Sequence, residues 1–177
     1  PGTVQAAFDA TNLYVRLTFK APAGGFDKSD KDNELKATMM FPNDKVPLGD
    51  QAGCWAACHE DAKGMPKSKD KTKYVSGGAM DLVQWASSGK SSDGFVADKR
   101  NMTGGKAGAT AEGAKAGDTY TVTFTRKLAG NAVLAAGKAV PFGIAIHADN
   151  AGGRFHHVSF GHTIGLGADG DVKAAKQ

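Results

Sequence analysis

The sequence predicts a mainly β fold, an antiparallel β-sandwich with short helices and long loops, as a single domain over residues 1–177. Three observations carry this expectation. Apolar and polar residues alternate with a period of two in several segments, clusters of Gly, Asp, Asn and Ser punctuate them, and the 3.6-residue period of helices is scarce. With 41% hydrophobic residues and only two cysteines, the chain can bury one core without disulfide support.

Taken in order, residues 4–8 and 13–19 read as a β-hairpin. Leu13, Val15, Leu17 and Phe19 form one face, Tyr14, Arg16 and Thr18 the other, and Asp9-Ala10-Thr11-Asn12 supplies the turn. Leu35, Ala37, Met39 and Phe41 repeat the alternation, as do Tyr120, Val122 and Phe124 against flanking threonines. Residues 140–147 and 154–166 read as a closing pair of strands joined by the turn-rich 148–153. Helix is expected only over Met80–Ala86, for one or two turns, and as a short segment in 128–136. Residues 87–117, rich in Gly, Ala, Ser and Lys, read as one long irregular stretch.

A net charge of +4 is spread among interspersed acids and bases, and aromatics make up 8%, so nothing resembles a nucleic-acid-binding face. No run of about 18 apolar residues could form a membrane-spanning helix, and the first residues lack signal-peptide character. The expectation is a soluble, processed chain that does not itself span a membrane.

The two cysteines lie together in Cys54-Trp55-Ala56-Ala57-Cys58-His59, read as a c-type haem attachment sequence of the C-x-x-C-H kind. Counted out, Trp55, Ala56 and Ala57 separate the thiols, one residue more than in that pattern. Each thiol can add to one porphyrin vinyl group, and His59 is then held where its imidazole can bind the iron. A thioredoxin-like redox pair would need a βαβ setting, whereas Pro47-Leu48-Gly49-Asp50 before the motif reads as loop. A structural zinc site would normally bring a second closely spaced ligand pair. The inferred cofactor is one covalent haem c, enclosed by the long loops.

Around this motif, Met65-Pro66, Met80-Asp81-Leu82-Val83-Gln84-Trp85, Thr125-Arg126-Lys127-Leu128, Phe142-Gly143-Ile144-Ala145-Ile146-His147 and Arg154-Phe155-His156-His157-Val158-Ser159 follow in order over most of the chain. Together they resemble the haem-binding domain of ethylbenzene-dehydrogenase and dimethyl-sulfoxide-reductase-type cytochrome subunits. The resemblance implies a β-sandwich that holds one haem between loops at its end and carries electrons to or from another redox protein. Members that serve molybdenum enzymes hold a non-covalent haem through Met and Lys, whereas Cys54 and Cys58 here imply covalent attachment. The ligating Lys of the resembled segment falls on His156, which makes His59 and His156 the implied axial pair.

Strand alternation from Arg154 is consistent with that assignment: it sets His156, Val158, Phe160 and His162 on one face, and Phe155, His157 and Ser159 on the other. His147, His157, His162, Met65, Met80 and Met102 are the rival sixth ligands; bis-histidine ligation implies a low-to-intermediate potential. Trp55 is positioned to cover a porphyrin edge. Arg100, Arg126 and Arg154 are candidate propionate partners, Arg154 foremost because it lies two residues from His156. Lys63, Lys67, Lys69, Lys71 and Lys73 could form a basic rim that steers an acidic redox partner.

These features point to an electron-transfer protein rather than an enzyme, since no distal base and Arg can be placed near the iron. Its partner would be a redox protein, either an acidic one or a membrane or molybdenum oxidoreductase, and its compartment the bacterial periplasm. The alternative is a haem-based sensor or small-ligand-binding module with a displaceable sixth ligand.

Overall fold

A computed structural model of the chain describes residues 2–20, 34–46, 49, 79–97, 100–147 and 156–177, and of His156 the backbone alone. The described residues form twelve strands: β1 (Gly2–Phe8), β2 (Asn12–Lys20), β3 (Lys36–Pro42), β4 (Met80–Ala86), β5 (Ser91–Val96), β6 (Arg100–Asn101), β7 (Thr110–Ala116), β8 (Thr119–Lys127), β9 (Lys138–His147), β10 (His156–Val158), β11 (His162–Leu166) and β12 (Val172–Lys176). They join in the hydrogen-bonded order β6-β5-β4-β3-β9-β11-β12-β1-β2-β8-β7, with β10 beside β9. The mainly β expectation holds. Pairing is antiparallel except at β12, which runs parallel to both β1 and β11.

The hairpin of β1 and β2 forms where the sequence places it. Asp9 closes its turn: one carboxylate oxygen accepts the Thr11 and Asn12 backbone N–H groups at 2.7 Å each, and the other accepts the Tyr14 hydroxyl at 2.8 Å. The backbone bond from Thr11, then the Tyr14 and Asn12 bonds, hold the Asp9 carboxyl far below its ordinary range.

The sheet curls until its two ends meet. Trp85 of β4 lies against Gly113 of β7, where a Cβ would collide with the indole ring, and Ala111 N donates to Ser91 Oγ at 2.8 Å. Between the facing halves lies the main core: Leu13, Val15, Leu17 and Phe19 of β2, Val122 and Phe124 of β8, Met39 and Phe41 of β3, Val83 and Trp85 of β4, and Phe142 of β9. Tyr120 ties the layers together, stacked on Phe19 at 5.6 Å and edge-on to Trp85 at 6.1 Å.

One buried ion pair crosses this core. Arg126 Nη2 lies 3.1 Å from Asp81 Oδ2, and both side chains are almost fully buried. Asp81 also accepts the backbone N–H groups of Asn131 and Ala132, at 3.0 and 2.8 Å. Arg126 donates to the carbonyls of Lys127 and Ala132, and its guanidinium sits 4.8 Å from the Phe41 ring centre. Arg126 is therefore committed to Asp81 and is removed as a propionate partner.

The structure corrects three further expectations. Met80–Ala86 is strand β4, not helix; it is buried on both faces, and a short apolar run of that kind has no periodicity to separate strand from helix. Residues 128–136 form a loop bound to Asp81 and Arg126 instead of a short helix. Residues 87–117 are not one irregular stretch, for they hold β5, β6 and β7. Two of their glycines sit where close neighbours leave no room: a Cβ on Gly94 would meet the Asn101 carbonyl, and one on Gly113 would meet Trp85.

Candidate haem centre

The site begins with the face of β3, β4 and β9 that points away from the main core. Met40, Met80, Leu82, Val96 and Ala145 are buried there in a second apolar cluster, joined by Val46 and flanked by Met102 and Val158. Register explains the grouping. Met40 stands opposite Leu82 and Gly143, Met80 opposite Val96, and Ala145 opposite Thr38 and Val158. Cross-strand partners share a face, so these side chains form one continuous wall.

Both ends of the connection that carries the attachment sequence meet at this wall. Strand β3 ends at Pro42, paired with Met80, the first residue of β4, and Asn43 N donates to Ala79 O at 3.1 Å. Residues 47, 48 and 50–78 lie outside the described residues, Cys54, Trp55, Cys58, His59, Met65 and the five lysines among them. Arg154 lies outside them too. An apolar wall at the base of a connection bearing two thiols and a histidine fits a porphyrin, which needs low-dielectric surface against its ring.

Along the same face the chemistry changes from apolar to polar. Four residue steps along β3, about 13 Å of strand, separate Met40 from Lys36. Between them Thr38 is buried and accepts Gln84 Nε2 at 2.8 Å. At the polar end His147 pairs with Lys36 on one side and with His156 on the other. His156 thus occupies a register position on the outer face, in line with Val158.

The histidines divide between the two faces. β10 and β11 both run antiparallel to β9, but residues 159–161 oppose only Ile144 and Gly143, so the strand carries a one-residue bulge. The bulge reverses the side-chain phase. His162, paired with core residue Phe142, therefore faces inward, contrary to the expected shared face with His156 and Val158. His157, paired with Ile146, faces the same way. Both border a cleft of about 440 Å³ with Val4, Leu17, Phe142, Ile144 and Val172. His162 is about half exposed, with Nδ1 3.9 Å from Asp171 Oδ2. The Asp171 carboxyl is held below its ordinary value, first by the Thr163 backbone N–H and then by the Thr163 hydroxyl.

Of the predicted residues, the structure therefore sets His147 and His156 on the outer face and His157 and His162 on the inner one. Met80 and Met102 belong to the outer cluster; Arg100 is exposed on β6. Sequence reasoning did not single out Met40, Leu82, Val96 and Ala145 as a wall. The available signal was Met39-Met40-Phe41, where successive residues are apolar, as in a strand buried on both faces.

Comparison with known proteins fits this arrangement. The ethylbenzene dehydrogenase family model matches residues 3–117, from β1 through β7. The chain belongs to that family. Two cytochromes are similar to this chain. Cytochrome c-552 of Stutzerimonas stutzeri is 49% identical over 187 residues, covering 98% of this chain and 64% of that protein. Cytochrome c-551 of Rhodocyclus tenuis is 50% identical over 179 residues, covering the whole chain and 69% of that protein. The chain thus spans about two thirds of the length of these two relatives.

Proposed function

We propose that this chain is a monohaem c-type cytochrome domain that passes electrons between redox partners and catalyses no reaction of its own. The observation that carries the reading is the Cys54–His59 sequence on a connection rooted at the outer apolar wall, in a chain similar over its length to two cytochromes c. Cys54 and Cys58 hold the haem through thioether bonds, each thiol adding its S and H across one vinyl group.

His59 and His156 would hold the haem iron through their imidazole nitrogens. Support for His156 comes from its register on the outer face, where Val158 and Ala145 continue the apolar wall. The inward-facing His157 and His162 are placed worse for the same task. When bound, the haem iron supplies reversible one-electron chemistry, and filled axial positions keep it from binding substrate. The wall of Met40, Met80, Leu82, Val96 and Ala145 excludes water from one side of the site, and Trp55 and Arg154 complete its edge, Arg154 as a propionate partner. The lysines between 63 and 73 orient an acidic redox partner, and the compartment is the periplasm. Among the described residues no helix is long and apolar enough to cross a membrane.

The test is optical. Haem must stay with the denatured chain, and the reduced holoprotein must show a low-spin spectrum that carbon monoxide does not change at once. In His156→Ala carbon monoxide should bind immediately, while His162→Ala should behave as the parent. Loss of haem on denaturation would overturn the attachment reading. A red-edge charge-transfer band from iron–methionine bonding, removed in a Met65 or Met102 variant, would overturn His156. Immediate carbon monoxide binding by the parent would favour a ligand sensor.

A further inference from the structure

We infer that the bulge at residues 159–161, closed by the Ser159 hydroxyl, decides which histidine of the His156-His157 pair is presented to the outer face. The inference rests on the reading of His156 as the sixth ligand and names Ser159 and Gly161 as its positioning residues.

The argument follows from hydrogen bonding. In an uninterrupted antiparallel ladder Ile144 and Ser159 would exchange two backbone bonds. Only one is present: Ser159 N donates to Ile144 O at 2.9 Å. The Ile144 N–H donates instead to the Ser159 side chain, with Oγ at 2.8 Å. The hydroxyl thus stands where the backbone carbonyl would be, and the main chain is free to turn away over Phe160 and Gly161. Gly161 has φ +56°, left-handed backbone that a side chain would strain. Three residues therefore oppose two, and β10 meets β9 one step out of phase with β11.

The phase cannot be reset from the other side. Ile164 and Leu166 of β11 are fully buried in the main core, opposite Val140 and Lys138, so β11 is locked. Drawing the bulge out into a regular ladder at unchanged chain length would slide β10 by one position against β9. His157 would then stand opposite His147 on the outer face, and His156 would leave it. The side-chain acceptor at 159, by holding the extra residue out of the ladder, is what keeps His156 in place.

The experiment uses the holoprotein and reads the absorption spectrum, the reduction potential and carbon monoxide binding. In the parent background His156→Ala should open the iron and His157→Ala should not. In a chain lacking Gly161 two residues oppose two and the register of β10 is kept, so His156→Ala should still open the iron and His157→Ala should not. Ser159→Ala, which keeps chain length, should give a carbon monoxide-reactive fraction and a shifted potential. Ser159→Thr, which keeps an acceptor oxygen, should restore the parent spectrum. If the deletion chain does not fold, the two Ser159 variants decide the matter alone. A deletion chain in which His157→Ala and not His156→Ala opens the iron, or Ser159→Ala with unchanged spectrum and potential, would overturn the inference. A parent His156→Ala protein with an unaltered spectrum would instead remove the ligand reading beneath it.

Discussion

Replacing Asp81 by Ala tests the packing of the curled sheet most sharply, because that carboxylate joins three elements in the core. It binds the Arg126 guanidinium of β8 and the backbone N–H groups of Asn131 and Ala132, at 3.1, 3.0 and 2.8 Å. Removing it leaves a buried cation held only by carbonyls and the Phe41 ring, and two backbone donors without their acceptor. Breaking a buried pair from one side costs about 3–5 kcal/mol. An unsatisfied buried N–H adds about 1–3 kcal/mol, part of which the first figure already contains. The expected loss is therefore near the upper end, about 4–5 kcal/mol, estimated from these two ranges. For a chain of this size that corresponds to a fall in Tm of roughly 8–20 °C. Denaturant unfolding of the holoprotein measures it. Asp81→Leu combined with Arg126→Met removes the stranded charge but not the orphaned donors, so it should recover part of the loss. The pair lies on the core side of β4, so the haem spectrum should not change. A loss under about 1 kcal/mol, or a double variant no better than the single one, would refute the reasoning.

Other consequences are as direct. Gly113→Val should destabilise the fold by about 1–3 kcal/mol or more, since its side chain must displace Trp85 between β4 and β7; the denaturant midpoint reports it. Asp9 titrates below its ordinary value of 3.8, so its contribution is present above that pH and is lost as pH falls toward its depressed value. Asp9→Asn should accordingly flatten the acid limb of the stability curve, read by thermal melts between pH 2 and pH 5. Electron transfer to an acidic partner should slow as ionic strength rises, and replacing Lys67, Lys69 and Lys71 by Gln should reduce that dependence. A rate insensitive to salt would remove the lysine docking surface.

Strands that alternate a buried and an exposed face were legible in the chain. β2 and β8 fall where Leu13–Phe19 and Tyr120–Phe124 alternate, because period two is a local property of one strand, and β3 falls at Leu35–Phe41 although it is buried on both faces. Met80–Ala86 was not legible, since burial on both faces erases the alternation. β5 and β7 were hidden for a different reason. Their Gly and Ala residues answer to neighbours distant in sequence, such as Trp85 over Gly113, and carry little apolar signal themselves. At the site, the proposed attachment residues stand out in the sequence because the chemistry of two thiols and an adjacent imidazole is local. The wall behind them does not, because Met40, Val96 and Ala145 come from three separate strands.

The sequence by itself determined the cysteine pair with His59, the hairpin closed by Asp9, and the mainly β character, all of which depend on residues a few positions apart. Tertiary structure alone decided the rest. It curled the sheet on itself, committed Arg126 to Asp81, and separated His156 from His162 by a single inserted residue. Alternation along a strand assigns faces only while the ladder is unbroken. One bulge, visible only against β9, reverses every assignment beyond it.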